Sequence, residues 1–212
     1  MGNCIVAPSE LRGIVTPPPS KSLVHRAMLC AGLAKGRSLI ENVALSDDIL
    51  ATAGALHALG CTLSKFKTGI SVSGPPSGGI AEIDCAESGS TLRFVLPVAL
   101  ALGGEYVFKG RGDLGKRPMA PFYRLFDQQH IVYEAEKEAM NLHVRGRLSP
   151  GVFRIDGGIS SQFVSGLLFA APLMGGDCEI IIEGGLQSKG YIDLTPVSYT
   201  HLDVYKRQVQ AP

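Results

Sequence analysis

The chain has 212 residues with a formal net charge of +1, and 45% of its residues are hydrophobic while 18% are charged. That near-neutral balance disfavours nonspecific binding to nucleic acid or to a membrane surface, whereas a small anionic substrate needs only a few local cations. The five cysteines are scattered without a CxxC pair, so neither a disulfide framework nor a metal site is predicted. No signal segment or membrane span is visible, and we expect a cytoplasmic protein.

The first part of the chain predicts alternating strands and helices. The prolines at 17–19 cannot continue a helix or a central strand, so they separate a short lead-in strand from the elements that follow. Hydrophobic periodicity, cap residues and glycine stops then set the bounds. The expected elements are a strand over 3–7, a helix over 20–36, a strand over 38–43, a helix over 46–60 and a strand pair over 61–73.

Two further segments repeat this order. The second predicts a helix over 90–102, a strand over 105–109, a Gly-rich loop over 110–116, a helix with Pro118 near its first turn, and strands over 131–133 and 140–144. The third predicts a strand over 153–156, a helix from Ser161 and a strand over 179–183. The fold class is therefore α/β, built from β-α-β-α-β-β units near 20–79, 80–150 and 151–195, the third truncated.

The end of the chain breaks the pattern. An amphipathic helix should continue beyond Thr195, but Pro196 follows and helical periodicity is absent. The string SYTHLDVYKRQ resembles translated sequencing-adapter read-through, so we expect residues 196–212 not to be native. On that interpretation His201, Tyr205, Lys206 and Arg207 have no function. A genuine divergent tail is the alternative.

One spacing recurs in all three units. Ser20, Ser88 and Ser160 each open a polar cluster before an apolar run, and in each case a glycine follows 16 residues after the serine. Self-similarity of this kind indicates a repeat architecture. Each copy also places hydroxyls and backbone N–H groups at the start of a helix, which is where anions bind.

The repeat predicts one anion site at converging helix starts. Cations near these starts are Lys21, Arg26 and Arg117, which together with the helix dipoles favour a phosphate or carboxylate ligand. Each residue also has a structural explanation when taken alone.

Those structural explanations are specific. Ser22, Ser90 and Ser161 fit plain N-caps. Arg93 fits an ion pair with Glu87, and the acidic pair at 47–48 fits a complement to the helix dipole. His25 and His57 fit helix residues without a catalytic role.

Six motifs together resemble the 5-enolpyruvylshikimate-3-phosphate synthase family (3-phosphoshikimate 1-carboxyvinyltransferase). They are PSKSLVHRAMLCAGLAKG, SDDILATAGALHALG, ESGSTLRF, LGKRPM, DGGISSQFVSGLLFAAPL and QSKGYIDLT. The resemblance covers residues 1–195 and matches the N-terminal half of the family. It implies two similar domains, each an inside-out α/β barrel of three units around a pseudo-threefold axis. Residues 1–19 would then belong to the other domain, and 20–195 to an incomplete N-terminal domain.

The resemblance also implies roles for individual residues. Lys21 would contact both substrates and act as the charge-stabilising catalytic residue. The residues implied for shikimate 3-phosphate are Lys21, Ser22, Arg26, Ser160, Ser161, Gln162 and Ser188, with Tyr191 as a further candidate. Those implied for phosphoenolpyruvate are Lys21, Gly89, Arg117 and Gln162. The implied reaction transfers the enolpyruvyl group to the 5-hydroxyl of shikimate 3-phosphate and requires no cofactor.

Some positions depart from the family pattern. Pro19 stands where a glycine is common, and Glu87 where an asparagine is frequent. The general acid and base would lie in the second domain, so this chain is expected to be inactive alone, while the full-length enzyme is expected to be a monomer. Two alternatives stay open: an enolpyruvyl transferase acting on UDP-N-acetylglucosamine, and a non-catalytic fragment that binds shikimate 3-phosphate.

Overall fold

The computed structural model describes residues 4–5, 7–8, 10, 12–136, 139–185 and 188–202. Residues 201 and 202 are described by their backbone alone. The first unit contains α1 (Lys21–Leu33), β1 (Gly36–Glu41), α2 (Asp47–Ala58), β2 (Thr62–Phe66) and β3 (Gly69–Gly74). The second contains β4 (Gly79–Asp84), α3 (Gly89–Leu102), β5 (Gly104–Lys109), α4 (Ala120–Gln128), β6 (Val132–Ala135) and β7 (Asn141–Gly146), with a 3-10 turn at Gly112–Lys116. The third contains β8 (Gly151–Asp156), α5 (Ser161–Ala170), β9 (Cys178–Glu183) and α6 (Lys189–Leu202).

The three units share one sheet plan. In the second unit the strands lie in the order β4-β5-β7-β6, with β4 and β5 parallel and the other pairs antiparallel. The first unit repeats the antiparallel part as β1-β3-β2, and the third repeats the parallel part as β8-β9. The predicted α/β repeat is therefore confirmed.

The helices lie inside and the sheets outside. Every residue over 91–101 of α3 is buried, as expected for a helix that is apolar on all sides. Helix α5 packs so closely on α3 that a Cβ atom at Gly166 would overlap the carbonyl oxygen of Arg93. Meanwhile the sheets leave outward apolar side chains exposed: Leu39, Ile80, Val132 and Val152. This is the arrangement of an inside-out barrel.

The structure bears on two local predictions, of which the one at the chain's start is wrong. The described residues of the predicted strand over 3–7 are exposed and make no strand, because strand backbone needs a partner and none adjoins them. Asn3 and Val6 lie outside the described residues. Pro118 lies near the first turn of the following helix, as predicted: α4 begins at Ala120 after the N-cap Met119, and Pro121 occupies the first turn.

The predicted loss of helix after Thr195 is also wrong. Helix α6 continues to Leu202 with Pro196 inside it. The hydroxyl of Tyr199 lies 3.1 Å from the carbonyl oxygen of Phe169, and the two rings pack at 5.7 Å between centroids. These contacts with α5 stabilise a helical segment that proline alone disfavours. The side chain of His201, and all of residues 203–212 including Tyr205, Lys206 and Arg207, lie outside the described residues.

Candidate functional site

The repeated serines cap the first helix of each unit, which is α1, α3 or α5. In each case the side-chain oxygen accepts a hydrogen bond from a backbone N–H in the first turn, which would otherwise have no helical partner. The pairs are Ser20 with Leu23 at 3.4 Å, Ser88 with Thr91 at 3.1 Å, and Ser160 with Gln162 at 3.3 Å. The 16-residue spacing of the sequence therefore begins at the N-cap of α1, α3 and α5.

The interpretation of Ser22, Ser90 and Ser161 as N-caps is wrong. These residues lie in the first turn, after the caps, where their side chains are not used to close the helix end. The capping role falls on the serine one or two positions earlier in each unit.

All of the predicted site residues line one cavity of about 430 Å³. The predicted members are Lys21, Ser22, Arg26, Gly89, Arg117, Ser160, Ser161, Gln162, Ser188 and Tyr191. Residues not predicted for the site also line it: Asp48, Ser90 and Phe94. Among the described residues that line this space, three side chains are cationic and one is a carboxylate, which favours an anionic ligand.

A second groove is larger but is lined by none of the predicted site residues. It measures about 540 Å³ and lies beside the turn between β2 and β3, where Lys65 and Lys67 line it together with Glu41. None of the first residues of α1, α3 and α5 lines this groove. We therefore place the candidate site at the converging helix starts and not at the larger groove.

Lys21 is held by a carboxylate at the start of the neighbouring helix. Its Nζ lies 2.7 Å from Oδ2 of Asp48, and the side chains are 56% and 28% exposed. Asp48 sits in the first turn of α2, as a dipole complement should. The pairing with Lys21 was not predicted, because 27 residues separate the two in sequence. The ion pair therefore fixes the ammonium group beside a carboxylate that lines the same cavity.

Arg26 is a buried cation that joins three helices. Its side chain donates to the Thr195 and Ser165 hydroxyls at 3.0 and 3.1 Å, and to the Tyr191 and Ser22 carbonyl oxygens at 2.6 and 2.9 Å. Burial lowers the pKa of this guanidinium, and the Phe94 ring lies 5.1 Å beneath it. These bonds use four of the five N–H groups of an arginine. One Nη1–H has no acceptor among the described residues.

Gln162 is fixed from both ends of its amide. Its Oε1 accepts from Nη1 of Arg93 at 2.8 Å, and its Nε2 donates to the Ser90 hydroxyl at 2.9 Å. Arg93 also donates to the Pro118 carbonyl oxygen at 3.0 Å. The suggested ion pair of Arg93 with Glu87 is therefore wrong, because the guanidinium is turned inward to α5 and the loop before α4. Its contribution is to hold Gln162 in one orientation.

Arg117 lies directly on the bare backbone at the start of α3. A Cβ atom at Gly89 would lie 2.5 Å from Nη1 of Arg117, so only glycine allows this approach. Burial, and then the positive charge of Arg117, lower the pKa of Arg93 to about 10. Two guanidinium groups are thus close enough to repel each other.

Ser188 and Tyr191 close the cavity from the side of α6. Both are exposed, and Ser188 adopts a left-handed backbone conformation with φ of 58° immediately before the helix.

Within the described residues no group of three or more His, Cys, Asp and Glu side chains is arranged to hold a metal ion. In that same part of the chain, no helix is long and apolar enough to cross a membrane.

Comparison with known proteins gives a consistent result. A family model described as EPSP synthase (3-phosphoshikimate 1-carboxyvinyltransferase) matches residues 5–200. Enzymes named 3-phosphoshikimate 1-carboxyvinyltransferase from Clostridium perfringens (strain SM101 / Type A) and Clostridioides difficile (strain 630) are 47% and 46% identical, each over 92% of this chain. The chain spans 47% of either relative. The solved EPSP synthase of Acinetobacter baumannii shares the fold, with a TM-score of 0.68 at 22% identity over 85% of this chain and 42% of that one.

Proposed function

We propose that this chain, which belongs to the EPSP synthase family, forms one side of an active site that acts on two anionic substrates. The reaction is transfer of the enolpyruvyl group from phosphoenolpyruvate to the 5-hydroxyl of shikimate 3-phosphate. The observation that carries the proposal is the convergence of three capped helix starts with Lys21, Arg26 and Arg117 on one cavity. Because the chain spans about half of its curated relatives, the other side of the site belongs to residues outside it.

Shikimate 3-phosphate would bind near α1, α5 and α6. The serine hydroxyls at the start of α5 and Ser188 suit its phosphate, since they combine donors with a helix N-terminus. The remaining Nη1–H of Arg26 suits its carboxylate. Ser22 lies one turn before Arg26 on the same helix and can bind the ring hydroxyls.

Phosphoenolpyruvate would bind near the start of α3. Its charged groups would take the backbone N–H of Gly89 and the guanidinium of Arg117, which already lie in contact. Gln162 is held between this position and α5, so it can contact both substrates. Lys21 would then leave Asp48 and stabilise charge that develops on the reacting groups.

Transfer of the enolpyruvyl group requires charge stabilisation and proton transfer. The 5-hydroxyl loses its proton to a base as its oxygen attacks C2 of phosphoenolpyruvate, while C3 gains a proton from an acid. The resulting tetrahedral intermediate then loses phosphate together with one proton of its C3 methyl group, which restores the double bond. Lys21 and Arg117 stabilise the anionic groups in both steps. We assign the proton donor and base to residues outside this chain, and expect the full-length enzyme to act as a cytoplasmic monomer.

The experiment uses a full-length protein that contains this chain. Lys21→Met should abolish turnover without loss of fold, because it removes the ammonium group and keeps the length of the side chain. Lys67→Met, which changes an exposed lysine of the β2–β3 turn, is the matched control. Turnover at the normal rate in Lys21→Met would refute the proposal. Calorimetry of the 212-residue chain with shikimate 3-phosphate separates a fragment that binds from one that does not.

A further inference from the structure

A chain of buried polar groups lies beneath the site without lining it. Nδ1 of His25 in α1 is 2.7 Å from the hydroxyl of Thr52 in α2, which is 2.7 Å from the hydroxyl of Thr91 in α3. Thr91 in turn lies 2.8 Å from the hydroxyl of Ser88 and 3.3 Å from the carbonyl oxygen of Asp48. The three side chains and that of Ser88 are at most 1% exposed. Three helices are thus joined by hydrogen bonds inside an otherwise apolar core.

The donors and acceptors of this chain run in one direction. Burial lowers the pKa of His25 to about 4, so the ring carries one N–H at neutral pH. If that hydrogen is on Nδ1, it donates to Thr52, Thr52 donates to Thr91, and Thr91 donates to the carbonyl of Asp48. The hydroxyl of Thr91 has one hydrogen, and both that carbonyl oxygen and the Ser88 hydroxyl lie within reach of it as acceptors.

The opposite direction fails on two counts. With the hydrogen on Nε2, that N–H is buried without a partner among the described residues. Thr91 would then have to donate to Thr52, which leaves the contact with the carbonyl of Asp48 without a hydrogen. Buried N–H groups without acceptors are rarer than acceptors without donors. The geometry therefore favours the Nδ1–H form of His25.

We infer that Thr52 is a positioning residue, whose hydroxyl holds the starts of α2 and α3 at a fixed spacing for the site above them. One end of the chain is the carbonyl of Asp48, whose carboxylate holds Lys21. The other end is Ser88, which caps α3 immediately before Gly89. The inference rests on the proposed function, because only a reaction between two substrates makes the spacing of Lys21 and Gly89 matter.

Shape alone does not account for a hydroxyl at this position. Valine has nearly the volume of threonine, so an apolar residue would fill the same space between the helices without requiring partners. A polar chain that is fully satisfied specifies one arrangement of the helices, which apolar packing does less sharply. A role in filling space would therefore be met by Thr52→Val, and a positioning role of the hydroxyl would not.

The first test is magnetic resonance of the 212-residue chain with ¹⁵N-labelled histidine and backbone. In the wild type we expect one-bond N–H coupling at Nδ1 of His25 and none at Nε2. Thr52→Val should move the proton toward Nε2 and shift the amide resonances of Gly89 and Ser90, while Thr52→Ser restores both. Ser71→Ala, which removes a buried hydroxyl in β3 that bonds Arg37, is the matched control and should leave those amides in place.

The second test is kinetic and uses the full-length protein. Thr52→Val should raise the KM for phosphoenolpyruvate roughly tenfold with a smaller effect on kcat, as expected from a misplaced binding group, and Thr52→Ser should reverse it. A proton on Nε2 in the wild type overturns the inference, and so do Gly89 and Ser90 amides that Thr52→Val leaves unchanged. Absence of turnover in the wild type refutes the proposed function instead, while the resonance experiment still decides the role of Thr52.

Discussion

Replacement of His25 by a residue that does not titrate should remove a large part of the acid sensitivity of the fold. His25 is 1% exposed, and its pKa is lowered from 6.5 to about 4 chiefly by burial, against the opposing attraction of Asp48. Lys21 and Arg26 also lower it. The unfolded chain therefore binds a proton between these two pH values that the folded chain does not.

The sign and size of the effect follow from proton linkage. Above pH 6.5 the ring is neutral in both states and titration leaves the free energy of unfolding unchanged. As the pH falls from 6.5 to about 4 the unfolded state is protonated first, so the folded state loses stability. At 1.36 kcal/mol for each pKa unit, the loss from this one side chain amounts to roughly 3 kcal/mol below pH 4.

Urea unfolding of the 212-residue chain between pH 7 and pH 4 measures this contribution. His25→Asn should lower stability at pH 7, because it opens a small gap, yet should lose less stability than the wild type on acidification. The matched control is His57→Asn, which replaces an exposed histidine in the last turn of α2. If the wild type and His25→Asn lose the same free energy between pH 7 and pH 4, the reasoning is refuted.

Two glycine positions give further predictions. Gly89→Ala should displace Arg117 and weaken binding of phosphoenolpyruvate at least about tenfold, or ~1.4 kcal/mol, by calorimetry of the full-length protein; unchanged affinity would contradict it. Gly166→Ala should cost about 3 kcal/mol or more in urea unfolding, since the methyl group meets the backbone carbonyl of Arg93, which cannot move aside. Gly54→Ala, at an exposed helix position with open space, should instead add about 0.5–1 kcal/mol. Equal effects at 54 and 166 would count against the packing argument.

The sequence predicted the helix starts because their signals are local. A serine, a polar turn and an apolar run recur three times, and the structure begins α1, α3 and α5 one residue after each opening serine. The three helix starts occupy equivalent positions in the three units. The expectation that they converge followed from this equivalence, and they do line one cavity. Periodicity and turn residues placed the strands to within a few residues.

The failures concern contacts between distant segments. The pairing of Lys21 with Asp48 depends on how α1 and α2 pack, which no short motif records. Helix α6 extends past Pro196 because Tyr199 bonds to α5, so a tertiary contact outweighs a local helix-breaking signal. The strand expected over 3–7 fails for the reverse reason, since its described residues have no partner among the described strands.

The three helices begin alike but do not offer the same chemistry. After the capping serine, the first helical residue is Lys21 in α1, Gly89 in α3 and Ser161 in α5, and all three line the cavity. A threefold scaffold with identical residues there would hold a ligand in three equivalent orientations. An ammonium group, a bare backbone and a hydroxyl at equivalent points remove that degeneracy. A different first helical residue in each unit is thus enough for a threefold framework to bind an asymmetric ligand in one orientation.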